Sequence, residues 1–302
     1  GNDDVSVMCG WHRSPSKRCG WLLPYRYRIF CFGVRAGARP AGRRDARARA
    51  VASLLEWWVK SARCMVLDMQ LRPPSPISIL GEVRIIGEWC ALQVSIPLVR
   101  HTAPCGDGEP VLVVPGFGTD DSWTRSLRRF VGSLGYDVEG WDLGRNHGRV
   151  SELIPKVAER TAELARNRDR KVRLIGWSLG GYLAREVARE HPELVSDVIT
   201  LGAPVVGGPK YTASAPMYLK KGYDLDAIEA DVLERESVPI VVPIRAVYSR
   251  SDGVVAWRAC VDRHNPSVTH HEVVSSHLGM VASPTVFRLV ARLLAEPASE
   301  SS

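Results

Sequence analysis

The feature that most constrains this sequence is a serine set among glycines between an apolar run and a helical pattern. The run 172–175 is typical of a short buried strand, the motif Gly176-Trp177-Ser178-Leu179-Gly180 follows at once, and residues 179–190 have helical spacing. A strand that turns directly into a helix holds the serine in a strained backbone geometry and tolerates no side chains beside it. The spacing G-x-S-x-G therefore predicts a nucleophile elbow at Ser178, in which Gly176 and Gly180 remove side chains that would collide with each other.

From residue 109 onward, strand and helix patterns alternate. Short apolar runs predict strands at 111–114, 136–141, 172–175, 198–201, 244–248 and 271–274. Helical spacing of apolar residues predicts helices at 122–134, 151–167, 179–190 and 284–294. This alternation requires crossover connections and a parallel sheet that is covered on both faces. We therefore predict an α/β fold of three layers with a mostly parallel sheet, formed by one domain at 109–296.

The positive charge of the chain is concentrated at its N-terminal end. The chain has 40 Lys and Arg against 33 Asp and Glu, a net charge of +7, yet residues 1–64 alone hold 13 basic and four acidic side chains. A basic arm for an anionic partner, a transit-like leader and sequence foreign to the natural protein would each fit this segment. We favour the last, with a natural start near Met65 or Met69. The remaining 27 basic and 29 acidic side chains give no ground for nucleic-acid binding.

Residues 65–108 are a predicted helical and linker lead-in. The most apolar stretch within them, 77–99, is interrupted by Glu82, Arg84 and Glu88, so no transmembrane helix is predicted. One helical stripe of this stretch is formed by Ile79, Val83, Ile86 and Cys90. We expect a helix, or a helix and a strand, packed on the domain, and weak contact with a membrane surface is the alternative.

The cysteine pattern indicates the redox environment of the protein. The seven cysteines show no paired C-x-x-C spacing, and no signal-peptide pattern accompanies them. Neither a disulfide framework nor a zinc site is supported, so we expect a reducing, cytoplasmic setting and no metal.

A serine hydroxyl becomes an effective nucleophile beside a histidine base that a carboxylate orients. The histidines that follow Ser178 are His191, His264, His270, His271 and His277. His277 lies just beyond the predicted strand 271–274, where it can reach over the sheet, and is the predicted base. Asp252 follows the strand 244–248 and is the predicted acid, although an Asp-Gly turn would give the same local shape. The other acids considered lie in an insertion or near another turn: Asp224, Asp226, Asp231 and Asp262.

Acyl transfer also requires backbone N–H groups that stabilise the tetrahedral oxyanion, each contributing about 3–4 kcal/mol. One predicted donor is Leu179, the residue after the nucleophile. The other is Phe117, in the flexible loop Pro115-Gly116-Phe117-Gly118 that follows the first predicted strand.

The order of these motifs resembles that of a known family. The segments are 115–118, 176–181, Leu201-Gly202-Ala203-Pro204, 249–255 and 276–277. In this order they resemble the bacterial esterase and lipase branch of the α/β-hydrolase superfamily, over about residues 109–296. The resemblance implies carboxylic-ester hydrolysis through an acyl-enzyme on Ser178, with Asp252 and His277, and no cofactor. Many lipases have histidines where this chain has Pro115 and Trp177, which weakens the case for a lipase.

An insertion at about 205–238 is predicted to form a short cap. It contains the large side chains Tyr211, Met217, Tyr218, Leu219 and Tyr223, which either shape an acyl pocket or anchor a surface helix. We predict a serine carboxylesterase that acts on a small-molecule ester with a short to medium acyl chain. The alternatives are a triacylglycerol lipase for longer chains and a non-catalytic hydrolase-fold protein that binds a hydrophobic small ligand. Residues 297–302 are a predicted tail.

Overall fold

The structure is a computed structural model of the 302-residue chain, and it describes residues 71–296. The interpretations of residues 1–64, of a start near Met65 or Met69, and of the tail 297–302 fall outside the described residues.

Within residues 71–296, six strands form one sheet in which every adjacent pair is parallel. The strands are β1 (Pro110–Val114), β2 (Asp137–Gly140), β3 (Val172–Trp177), β4 (Val195–Leu201), β5 (Ile244–Tyr248) and β6 (Val268–Glu272). Their spatial order is β2-β1-β3-β4-β5-β6. The predicted α/β class with a parallel sheet is confirmed.

Helices cover both faces of the sheet. They are α1 (Pro76–Leu80), α2 (Ile85–Thr102), α3 (Asp121–Ser133), α4 (Val150–Arg168), α5 (Leu179–Glu190), α6 (Ala215–Lys220), α7 (Leu225–Arg235) and α8 (Pro284–Ala295). Alternate side chains of a strand point to opposite faces, so β1 contributes to two separate cores. Val111 and Val113 pack with α2, α3 and α8, whereas Leu112 and Val114 pack with α4 and α5. The three predicted layers follow from this division.

The last strand differs most from its prediction. The sequence pattern predicts a strand at 271–274, but β6 ends at Glu272, and Val273 and Val274 lie beyond it. The strand lies at the edge of the sheet and is only half-buried, so its Thr and His residues need no apolar run. The two valines that suggested a strand belong to the loop that leads to His277.

The N-terminal helical segment packs on the domain through the face opposite its apolar stripe. Helices α1 and α2 are joined by a 3₁₀ turn at Gly81–Arg84, and the stripe Ile79, Val83, Ile86 and Cys90 is exposed to solvent. The side chains that turn inward are those of Glu82, Leu92 and Val99. The expectation that a helix packs on the domain in this region holds, with the apolar stripe on the outer face. Between residues 71 and 296, the structure contains no helix that is long and apolar enough to cross a bilayer.

Candidate active site

The strand order reverses between β1 and β3, and the candidate site lies at that point. The chain runs from β1 outward to β2, then returns to β3 on the other side of β1. The loops that follow β1 and β3 therefore leave the sheet in opposite directions and open a crevice at its carboxyl edge, where open α/β sheets bind their ligands. Phe117 follows β1 and Ser178 follows β3 directly, so both predicted residues lie at this crevice.

Ser178 occupies a strained position between β3 and α5. Its φ of 55° and ψ of −125° lie in a region that side-chain-bearing residues rarely adopt. A Cβ on Gly176 would collide with the backbone of Gly180, as predicted. A Cβ on Gly180 would instead collide with the carbonyl groups of Val114 and Pro115 on the neighbouring strand. The second glycine is therefore required by the close approach of β1 and not by Gly176.

Ser178 is partly exposed and opens into a cavity of about 410 Å³. This volume falls within the usual range of small-molecule sites. The segment 205–238 contributes the rings of Tyr218 and Tyr223 to the wall, together with Ile228 and Val232. The other three large side chains predicted for this wall do not line the cavity. Tyr211 is buried and donates a hydrogen bond to Glu229, whereas Met217 and Leu219 are exposed.

Asp252 and His277 are joined by a buried hydrogen bond. The distance from Nδ1 of His277 to Oδ2 of Asp252 is 2.7 Å, and both side chains are almost fully buried. The other carboxylate oxygen, Oδ1, accepts the N–H groups of Val254 and Val255 at 2.8 and 2.7 Å. Both oxygens of the Asp252 carboxylate thus accept hydrogen bonds, which fixes the orientation of the carboxylate toward the imidazole.

The charge of Asp252 sets the basicity of His277. Burial lowers the pKa of a histidine, but the negative charge of Asp252 and the hydrogen bond to it act in the opposite direction, and Glu82 adds to them. The net effect is a pKa raised above the ordinary value. A histidine in such an environment is a stronger base than one in water, as proton abstraction from a serine requires.

The His277 ring lies close to the elbow. It packs against the ring of Trp177, with 5.7 Å between ring centroids, and its Nδ1 would lie 3.1 Å from a Cβ built on Gly202. Ser178 Oγ forms no hydrogen bond with any residue of 71–296, His277 included. Such contacts are commonly loose before substrate binds.

Two backbone N–H groups beside Ser178 are unused. Neither Phe117 nor Leu179 donates its N–H to an acceptor within the described chain. A Cβ built on Gly116 would lie 3.1 Å from the Cβ of Ser178, so the loop after β1 runs directly beside the serine. Leu179 is the first residue of α5, where N–H groups point out of the helix and favour negative charge.

The loop that carries Phe117 is held by Asn146, a residue that the sequence analysis missed. Asn146 is fully buried, its side chain donates to the carbonyl of Pro115 at 2.9 Å, and its own carbonyl accepts the N–H of Gly118 at 2.7 Å. Its side-chain oxygen also accepts the N–H of Gly148. The loop 115–118, which the sequence analysis expects to be flexible, is thus anchored by a buried side chain. The sequence signal that could have indicated Asn146 is a polar residue with a glycine two positions away on either side, shortly after β2.

The other candidate bases lie elsewhere in the fold, whereas one of the other candidate acids, Asp231, lines the cavity. His191 forms the C-cap of α5, His270 and His271 lie in β6, and His264 is 3.9 Å from Glu236. Asp224 caps the start of α7, and Asp262 forms a buried ion pair with Arg185 at 2.6 Å. Over the described range 71–296, no three His, Cys, Asp or Glu side chains are grouped to hold a metal ion.

Comparison with known proteins gives partial matches. No protein-family model matches the chain. The pimeloyl-[acyl-carrier protein] methyl ester esterase of Vibrio campbellii is 28% identical over 144 residues, which are 46% of this chain and 53% of the relative. The enzyme of the same name from Aliivibrio fischeri is 29% identical over 122 residues, covering 40% and 44% respectively. The chain thus spans about half the length of the curated relatives that it matches.

The chain also resembles solved structures at low sequence identity. Aspergillus fumigatus lipase B has a TM-score of 0.49 and 19% identity, over 63% of this chain and 53% of the lipase. An alpha/beta superfamily hydrolase from Oenococcus oeni has a TM-score of 0.46 and 14% identity, over 65% and 94%.

The parallel sheet with its order reversed at β1, together with the strained serine between β3 and α5, defines an α/β-hydrolase fold. The partial matches to esterases agree with this fold.

Proposed function

We propose that this protein is a serine carboxylesterase in which Ser178 is the nucleophile, His277 the general base and Asp252 the acid that orients it. The observation that carries the proposal is the buried 2.7 Å hydrogen bond between His277 and Asp252 at the same sheet edge as the strained Ser178. A protein that only binds a ligand has no need of this combination, which argues against the non-catalytic alternative.

The geometry supports the following sequence of steps. Ser178 Oγ attacks the carbonyl carbon of the ester while Nε2 of His277 removes its proton, and Asp252 stabilises the imidazolium that forms. The oxyanion of the tetrahedral intermediate accepts hydrogen bonds from the free N–H groups of Phe117 and Leu179. His277 returns the proton to the departing alcohol. Water then attacks the acyl-enzyme with the same base, releasing the acid and restoring Ser178.

The walls of the cavity support an ester with a short to medium acyl chain as substrate. They are mainly aromatic and aliphatic near Ser178, with the rings of Phe117 and Tyr218 in contact at 5.0 Å between centroids. Charged side chains lie in the same wall, namely Arg149, Glu152, Asp231 and Arg235. The curated relatives are named for a methyl ester of an acyl chain on a carrier protein, which agrees with an ester of this kind.

Hydrolysis of a series of p-nitrophenyl esters tests the proposal. We expect wild-type protein to hydrolyse esters of short and medium chain length, and Ser178→Ala to lose several orders of magnitude in kcat. A rate that peaks on long chains and rises sharply above the solubility limit would favour the triacylglycerol lipase. Equal turnover by wild type and Ser178→Ala would exclude Ser178 as the nucleophile.

A further inference from the structure

Glu82 is a buried carboxylate that the proposed chemistry does not use. It lies in the 3₁₀ turn between α1 and α2 and is only 6% exposed. Removing a carboxylate from water is costly unless hydrogen bonds replace its hydration. Most side chains of this helical segment are exposed, so the burial of Glu82 requires hydrogen-bond partners inside the fold.

The partners of Glu82 supply that reason. Its Oε1 accepts the N–H of Gly253 at 2.8 Å and the N–H of His277 at 2.9 Å, and its Oε2 accepts the N–H of Leu278 at 2.8 Å. Gly253 follows Asp252 directly in the loop after β5, whereas His277 and Leu278 lie in the loop after β6. One oxygen atom thus bridges the two loops that carry the proposed acid and base.

Gly253 shows how closely the two parts approach. Its φ lies outside the left-handed region, so the turn itself does not require glycine. A Cβ at this position would collide with the carbonyl of Ser78 in α1 and would lie 3.0 Å from Oε1 of Glu82. The glycine after Asp252 therefore serves the approach of the N-terminal helical segment.

Glu88 makes a comparable contact that involves one loop only. Its carboxylate accepts the N–H of Ser276 at 2.9 Å and the hydroxyl of Ser276 at 2.6 Å. It forms no hydrogen bond with the described loop of Asp252. Glu88 is therefore a matched control, because it comes from the same helical segment and fixes only the loop after β6.

We propose that Glu82 is a positioning residue for ester hydrolysis, which holds the loops of Asp252 and His277 in register by accepting hydrogen bonds from both. This inference rests on the proposed function. The charged groups of the described chain that act on His277 are Asp252, at its ring, and Glu82, at its backbone N–H. Glu82 therefore influences the base both through geometry and through its charge.

Glu82→Gln separates these roles from a general effect on folding. An amide cannot accept at both ends, so its NH₂ group opposes one of the three N–H donors. We expect kcat to fall about tenfold to a hundredfold, as small displacements of reacting groups do. The rising limb of kcat/KM against pH should also move to lower pH, because one negative charge that favours the imidazolium is lost. Arg84→Gln, an exposed change in the same turn, should leave both quantities at wild-type values.

Glu88→Gln completes the comparison. We expect it to leave the midpoint of the pH profile in place, since Glu88 does not contact His277. Wild-type values of kcat and of the midpoint in Glu82→Gln would overturn the inference. So would a loss of activity equal to that of Glu88→Gln with no shift of the midpoint, since a purely structural role predicts that result.

Two measurements cover the remaining outcomes. If Glu82→Gln fails to fold, residue-resolved amide exchange of wild-type protein replaces it: the N–H groups of Gly253, His277 and Leu278 should all be protected, and rapid exchange of any of them would overturn the inference. Wild-type protein that hydrolyses no ester would overturn the proposed function, and this inference with it. That result is distinct from an active wild type that is insensitive to Glu82→Gln.

Discussion

The indole Nε1 of Trp177 donates a hydrogen bond to the carbonyl oxygen of His277, at 3.2 Å. Trp177 is the last residue of β3 and precedes Ser178, so the strand that carries the proposed nucleophile also holds the loop of the proposed base. The indole is almost fully buried, and its ring stacks on that of Trp123 in α3. The side chain before the nucleophile thus fixes His277 from within the fold, whereas Glu82 holds it from the N-terminal segment.

Trp177→Phe tests this link, because it keeps an aromatic ring but removes the donor. We expect a loss of about 1–3 kcal/mol in the free energy of unfolding, from the unpaired carbonyl and the smaller ring. The value of kcat should fall as well, since the His277 loop is less constrained. Trp123→Phe is the control, because Trp123 is half-exposed and should change stability by about 0.5 kcal/mol or less. Similar losses in the two variants, measured by denaturant unfolding, would count against the link.

The activity should depend on pH through His277. Only the neutral imidazole can accept the proton of Ser178, so kcat/KM should rise with pH, with a midpoint above the ordinary histidine value of 6.5. Asp252→Asn removes a charge that raises this pKa and leaves burial to lower it, so the midpoint should move to lower pH. The value of kcat should fall by about three to four orders of magnitude. A full pH profile of both proteins gives the result, and an unchanged kcat would exclude Asp252 as the acid.

The same raised pKa affects stability. Because the folded-state pKa of His277 exceeds the unfolded one, protonation of the ring stabilises the fold at low pH. This contribution is fully present below pH 6.5, the ordinary value, and is lost as the pH rises through the folded-state pKa. Unfolding measured across this pH window should show that wild type loses this contribution to stability as the pH rises, whereas His277→Gln does not.

Gly180→Ala should be severely destabilising. The added Cβ would meet the carbonyl groups of Val114 and Pro115, which are backbone atoms that cannot move aside. We expect a loss of more than about 2 kcal/mol in the free energy of unfolding. Gly132→Ala is the matched control, since a Cβ there meets nothing within 4 Å and lies in α3. That change should be neutral or stabilising by up to about 1 kcal/mol. Equal stability of the two variants would contradict the packing described for the elbow.

Asn146→Ala should impair catalysis through the loop of Phe117. Without the side chain, the carbonyl of Pro115 and the N–H of Gly148 lose their partners, and the Phe117 N–H is no longer fixed. A donor that acts only on the oxyanion affects kcat more than KM, and its loss costs about 10²-fold to 10³-fold in kcat. We expect a fall in kcat of up to this size, with a smaller change in KM. Asn167→Ala, an exposed change in α4, serves as the control. A change confined to KM would argue against the role of Asn146.

The sequence predicted what local patterns determine. The buried strands β1 and β3 have continuous apolar runs, and the turn at Ser178 has its glycines within five residues, so both were accessible to pattern analysis. Asp252 and His277 could be proposed because each follows a strand of a parallel sheet, whose carboxyl ends share one edge. Their roles remain a prediction.

The contacts that hold these residues could not be predicted, because each joins distant parts of the chain. Glu82 lies 195 residues before His277, whose N–H it accepts, and Asn146 lies 31 residues after Pro115. In the sequence, Glu82 only interrupts an apolar run, and nothing in that run shows which face of the helical segment packs on the domain. Three backbone N–H groups from two distant loops donate to the carboxylate of Glu82, so the face of the segment that carries Glu82 lies against the domain.

Covalent labelling of intact protein with a fluorophosphonate tests the central proposal most directly, because the reagent phosphonylates a serine only when a base and an oxyanion site activate it. We predict that wild-type protein gains one adduct, that peptide mass spectrometry assigns it to Ser178, and that Ser178→Ala gains none. Absence of an adduct on folded wild-type protein, or its assignment to a serine other than Ser178, would contradict the proposed mechanism.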